Sequence, residues 1–338
     1  INLGTLAVDG TVQLTTNGSG NATVVNDAGL NFAASTVGGN LAATATTGNM
    51  TDSGTVTVGG NLAATTDANN GVINLGTLAV DGSVSLHTHG SGNATVVNDA
   101  GLNFAASTVG GALNATATTG NVTDSGALTI AGTSSFTTSA NNADIALDTT
   151  TNAFTGAVTI TTNDDSGTDA DVTIDGGTTA LVLAASTIDG DLTVRSGNAS
   201  GIADNEGTVT VGGNLAATTD ANNGVINLTA LAVNGTIAVV TNGAGGATVV
   251  NDAGLNLAAS TVGGALNATA TTGNMTDSGA LTIAGTSSFT TSANNATIAL
   301  NTTTNAFTGA VTITTNDNSG TDADVTIDGG TTALILAA

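Results

Sequence analysis

Ile73-Asn-Leu-Gly-Thr-Leu-Ala-Val-Asp-Gly82 returns as Ile226-Asn-Leu-Thr-Ala-Leu-Ala-Val-Asn-Gly235, 153 residues later, and most of the sequence after the first copy returns with it. A chain that repeats at this length, and again at about 21–34 residues, is a stack of small units rather than one unique core. The short unit is marked by an apolar residue, one variable residue, glycine, one variable residue and a further small or apolar residue. Its glycines are Gly10, Gly39, Gly60, Gly82, Gly111, Gly132, Gly156, Gly190, Gly213, Gly235, Gly264, Gly285 and Gly309, spaced 29, 21, 22, 29, 21, 24, 34, 23, 22, 29, 21 and 24. Residues 73–225 and 226–338 read as copies of the long repeat and 1–72 as a shortened copy. The whole of 1–338 therefore reads as a single continuous solenoid of about 13 turns of 21–34 residues.

Around each glycine the apolar residues alternate: Leu6, Val8, Val12 and Leu14 about Gly10, Phe154, Val158 and Ile160 about Gly156, Ile188, Leu192 and Val194 about Gly190. Period 2 is strand periodicity, with Asp9, Thr11, Asp189, Asp191, Thr193 and Arg195 left to face water. Asn17-Gly18, Asn69-Asn70-Gly71 and Asp175-Gly176-Gly177 are turn signals between strands. Gly, Thr, Val and Asn are weak helix formers, and no i, i+3, i+4 stripe is visible. Such short units bury an apolar face only when stacked in parallel, at about 4.8 Å per turn, which predicts an all-β parallel β-helix on the order of 60 Å long. A β-sandwich array would need longer repeats and Trp or Tyr anchors, and the chain contains no Trp and no Tyr.

One Arg, no Lys and 25 acidic residues give a net charge of −24. Nucleic-acid binding needs cations to displace phosphate counterions and is excluded as a function, and electrostatic binding to anionic membrane surfaces is disfavoured for the same reason. No apolar run reaches the length of a membrane helix, so this segment carries no membrane span. With no Cys there is no disulfide or thiol chemistry.

The runs Ser125-Gly-Ala-Leu-Thr-Ile-Ala-Gly132-Thr-Ser-Ser-Phe-Thr-Thr, Ala143-Asp-Ile-Ala-Leu147 and Asn152-Ala-Phe-Thr-Gly-Ala-Val-Thr-Ile160 resemble the repeats of filamentous-haemagglutinin-like proteins, very large bacterial surface proteins often exported by two-partner secretion. The resemblance extends through Val56-Thr-Val-Gly-Gly-Asn-Leu62 and Ser186-Thr-Ile-Asp-Gly-Asp-Leu192 to essentially the whole chain. It implies a right-handed parallel β-helix outside the cell or on the bacterial cell surface, with adhesion or matrix building as its work.

Candidate sites are few. His87 and His89 project to one outer face, but two imidazoles fall short of the three or four ligands of a stable metal site. The densest acid cluster offers Asp164, Asp169, Asp171 and Asp175 as candidate Ca²⁺ ligands, with Asp317, Asp322, Asp324 and Asp328 in the sister copy. Their spacing matches neither the EF-hand nor the calcium β-roll, so solvated turns are the plainer expectation. No organic cofactor is implied. Arg195 stands alone, and no nucleophile–base constellation can be assembled, so the reading is not an enzyme. Thr44-Ala-Thr46, Thr116-Ala-Thr118 and Thr269-Ala-Thr271 recur too irregularly for an ice-binding face and suit ordinary strand formers.

The expected function is therefore a structural rod in a surface fibre, adhesin stalk or matrix filament, its partners being further repeats or other copies stacked end to end. The competing expectation is a module that binds surface glycans or another ligand through sites on the 29- and 34-residue turns. Two structural expectations accompany these: the glycines stack near a common edge, and the longer units carry an added strand or a projecting loop. The chain is also expected to continue into further solenoid at both ends.

Overall fold

The computed structural model describes residues 1–163, 169–316, 318 and 322–337. Two compact units, Ile1–Ala170 and Asp171–Ala338, divide the chain. Each is a parallel β-solenoid, and no helix occurs among the described residues. Every strand pairing among the described residues of the units is parallel, which excludes the sandwich alternative.

In each coil the chain lays one half-turn on each of two sheets. In the first unit, one sheet runs through Asn2–Leu6, Ala22–Asn26, Leu41–Ala45, Leu62–Asn69 and Ser83–His89. It continues through the paired short strands Leu102–Phe104 with Ser107–Val109, Val122–Asp124 with Leu128–Ile130, and Ile145–Leu147 with Ala153–Phe154. The other sheet takes Thr11–Val12, two such paired half-turns (Leu30–Phe32 with Ser35–Val37, Met50–Asp52 with Val56–Val58), and Ile73–Val80. Ala94–Asn98, Leu113–Ala117, Ser134–Asn141 and Val158–Asn163 complete it. The first unit thus makes eight coils. The second makes seven and begins another at Val325–Ile327, about 15 in place of the 13 expected.

The difference has a physical origin. Half-turns come in a bent form, a pair of short strands or one long strand with a register shift, and a straight form, and the two alternate between the sheets. Ala22–Asn26 and Ala94–Asn98 break the alternation by adding one straight half-turn, and with it the bent half-turns move to the opposite sheet. In the second unit the bent half-turns Leu181–Ile188, Ile202–Val211 and Ile226–Val233 lie on one sheet. After Ala247–Asn251 they lie on the other, beginning with Leu255–Leu257. Each of the 29-residue glycine spacings hides one extra half-turn. The 29-residue units therefore carry an added strand, built into the ladder, rather than a projecting loop, while part of the 34-residue unit lies outside the described residues.

The glycines obey the same rule. Gly82 N donates to Gly60 O, and Gly60 N to Gly39 O, in one column. Gly111 N then donates to Gly92 O instead of to Gly82, and Gly132 stacks on Gly111. The expected single edge is corrected: the motif glycines stack in groups of three, such as Gly39, Gly60 and Gly82, and the groups change sides at each added half-turn. A Cβ on Gly82 would stand 2.5 Å from Gly60 O, so the columns admit no side chain.

Between the sheets lie Val, Ile, Leu, Ala and all six Phe, each Phe buried. Phe104 and Phe154 from one sheet meet Phe136 from the other edge-on, with centroids 6.4 and 5.9 Å apart, the arrangement ring quadrupoles favour. Phe289 and Phe307 repeat it at 5.7 Å. At the corners the turn signals hold. Asn70, Asn142, Asn223 and Asn295 take φ of 60–62°, a left-handed conformation that asparagine tolerates. The buried hydroxyls of Thr66, Thr138, Thr219 and Thr291 cap these same corners by donating to the carbonyls of Gly71, Ala143, Gly224 and Ala296.

Candidate functional site: the short half-turn and its groove

The added half-turn has the sequence Ala-Thr-Val-Val-Asn-Asp-Ala-Gly at 22–29, 94–101 and 247–254. Its alternation buries Ala94, Val96 and Asn98, and the burial of an amide calls for partners. Asn98 finds them in backbone that the short strand is too brief to pair. Its Oδ1 accepts from Val80 N at 2.8 Å, and its Nδ2 donates to Val80 O at 3.0 Å and to Gly101 O at 2.6 Å. The side chain stands in for a strand residue. Asn26 does the same for Val8 and Gly29, and Asn251 for Val233 and Gly254.

Because this half-turn closes early, the coils on either side of it part and leave an open groove at its corner. The groove by Asn98 measures about 520 Å³ and is lined by Asp81, Gly82, Gly101, Asn103, Asn121 and Thr123 among others. The same groove recurs at Asp9, Gly29 and Asn31 with about 260 Å³, and at Asn234, Gly254 and Asn256 with about 300 Å³. In all three the Oδ1 of the floor asparagine, Asn31, Asn103 or Asn256, is buried and accepts no hydrogen bond. The sequence points to candidate sites on the longer turns, but in a strand these asparagines read only as outward polar positions.

Of the candidate Ca²⁺ ligands, Asp164 and Asp317 lie outside the described residues. Asp169 and Asp171 are exposed, and Asp171 Oδ1 accepts from Asp191 N at 2.8 Å. Asp175 is buried. Its Oδ1 accepts from Gly177 N at 2.7 Å, and its Oδ2 lies 3.9 Å from Arg195 Nε. Asp328 makes the same turn contact with Gly330 N, while Asp322 and Asp324 are exposed. Among the described residues no three His, Asp or Glu side chains come together as a metal-binding group.

Arg195 forms a forked pair with Asp220 at 2.9 and 3.1 Å, which raises its pKa further. His87 and His89 are both exposed on one strand, as expected from their spacing, in ladder register with Thr65 and Asn69. Asp124 is half-buried, and burial pushes its carboxyl above the ordinary 3.8 against the opposing hydrogen bonds from Asn152 and Thr149.

Parallel ladders, stacked glycines and an interior shared by successive coils define a β-solenoid repeat protein. The chain belongs to the family described as repeats of unknown function (DUF5649), whose model matches residues 19–87, 91–161 and 244–314, more than half of its length. Each matched segment opens just before an added half-turn and holds seven half-turns, so one family repeat is three and a half coils. Comparison with curated proteins and with solved structures gives no match.

Proposed function

We propose that this chain is an extracellular structural element of a bacterial surface fibre, stalk or matrix filament, similar in role to filamentous-haemagglutinin-like proteins, and that it extends by stacking on further repeats or copies of itself. The observation that carries the reading is the modular ladder within each unit. Successive seven-half-turn blocks meet only their neighbours, so length is set by block number without redesign of a core. The composition supports it as well. A chain with one Arg and no Lys gives trypsin-like proteases almost nothing to cut.

Negative-stain electron microscopy of the purified chain tests the reading, together with antibody labelling of intact cells of the producing bacterium. Straight, thin particles and surface labelling are expected. Compact globular particles, or labelling only after the cells are broken, would contradict it.

A further inference from the structure

We propose that the groove at each added half-turn binds an uncharged, hydroxyl-rich ligand, a segment of a neutral glycan, and that the first unit offers two such grooves on opposite sheets. The inference rests on the extracellular reading only for the source of the ligand; the site itself is argued from geometry.

Four observations carry it. The groove occurs three times with the same wall and floor. In each, a buried amide oxygen lacks a donor, and such an unmade bond is costly enough to call for one. These oxygens are closed to solvent as they stand, so a groove hydroxyl reaches them only when the asparagine side chain turns about its broad χ2. Third, the rim residue is Asp9 and Asp81 in two copies but Asn234 in the third. What the three share is an amide or carboxylate oxygen, not a negative charge. A cation site would lose its main ligand in the third copy, and an anion would meet carboxylates with no basic side chain among the lining residues. A neutral hydroxyl ligand is served equally by all three.

Fourth, volumes of about 260–520 Å³ reach into the range of ~300–1,000 Å³ typical of small-ligand sites and accommodate a short saccharide. No aromatic ring lines the groove, so each site is weak, with Kd of the order of millimolar. Binding strength then comes from repetition. The grooves floored by Asn31 and Asn103 sit on opposite sheets of one unit, because the bent half-turns that carry them have changed sides. A single unit therefore engages two glycan chains at once, and simultaneous engagement raises avidity by orders of magnitude.

The test is saturation-transfer difference NMR on the full 338-residue chain with neutral glucose and N-acetylglucosamine trisaccharides, alongside an anionic uronic-acid trisaccharide and a CaCl₂ titration by calorimetry. Signal from at least one neutral trisaccharide is expected. It should fall at least tenfold in the variant Asn31→Leu, Asn103→Leu, Asn256→Leu and by about two-thirds in the double variant that spares Asn256. Thermal unfolding of these variants should stay within a few degrees of the parent, since the oxygen removed has no partner; a variant that fails to fold shifts the comparison to Thr51→Val, Thr123→Val, Thr276→Val, in which the same loss is expected. Three results would overturn the proposal: no neutral trisaccharide signal, a signal unchanged in the variants, or preferential binding of Ca²⁺ or the uronic acid at Asp9 and Asp81. None of these bears on whether the particles are straight in the microscope, so the two readings fail separately.

Discussion

Residues 18–39 and 90–111 are identical in sequence, Gly-Ser-Gly-Asn-Ala-Thr-Val-Val-Asn-Asp-Ala-Gly-Leu-Asn-Phe-Ala-Ala-Ser-Thr-Val-Gly-Gly, yet they lie on exchanged sheets of the same unit. Ala22–Asn26 pairs with Asn2–Leu6 and Leu41–Ala45, whereas Ala94–Asn98 pairs with Ile73–Val80 and Leu113–Ala117, members of the other sheet. Local conformation, burial alternation and the Asn26 or Asn98 hydrogen-bond set are the same in both. What the sequence encodes is therefore the half-turn. Which side of the solenoid a half-turn occupies is decided by how many half-turns precede it, and an odd repeat of seven makes successive repeats change sides.

The comparison can be broken most forcefully in the core. Phe136 bridges Phe104 and Phe154 across the two sheets, so Phe136→Ala is expected to cost the first unit about 3–5 kcal/mol, read as a lower denaturation midpoint. Phe32, in the copy with no ring contact of this kind among the described residues, sharpens the contrast: Phe32→Ala should cost measurably less. Next in size are Asn26→Ala and Asn98→Ala. Each leaves three backbone groups unpaired, expected to cost about 1–3 kcal/mol in all once the site relaxes and water enters, and the two should destabilise by similar amounts although they act on opposite sheets. A large inequality would show that the side matters to the half-turn.

Smaller again is Asn70→Ala, which places an ordinary residue at φ 62° and should cost about 1–2 kcal/mol. Asn70→Gly should remove that backbone cost and lose only the exposed hydrogen bonds that Asn70 Oδ1 accepts from Ser91 N and Oγ. The smallest effect is that of Asp124, whose folded pKa is raised by burial. Below the unfolded value of 3.8 the group is protonated in both states and contributes no penalty. As pH rises through the folded value the buried charge appears and stability is lost, so Asp124→Asn should flatten the decline in stability from below pH 3.8 to neutral pH. Denaturant midpoints of parent and variant at the two ends of that window measure it.

Much of this architecture was legible in residues alone. Period-2 alternation places Val158, Ile160, Leu192 and Val194 inside, and all six Phe are buried. The 29-residue spacing correctly marked an added strand. The change of sides was not legible, because both sheets impose the same period and the same inward residue types, so no single position carries a mark of its sheet. Counting glycines also concealed the short half-turns, since Gly29 and Gly101 lie outside the repeated motif, and the turn count came out low. At the grooves, the location on the longer turns was readable. The roles of Asn31 and Asn98 were not, because one asparagine faces a groove and the other the interior, and only the register of neighbouring coils distinguishes them.

The exchange of sheets is the central claim, and the absence of cysteine makes it directly testable by pairwise cross-linking. In the solenoid Thr108 is the ladder partner of His87, whereas a single glycine edge that aligned Gly111 over Gly82 would place Thr108 beside Ala79. Adjacent parallel strands bring Cα atoms to about 4.8 Å, within disulfide reach. Mild oxidation is expected to close a disulfide in the double variant His87→Cys, Thr108→Cys and to leave Ala79→Cys, Thr108→Cys reduced. Closure of the second pair with the first left open would contradict the account.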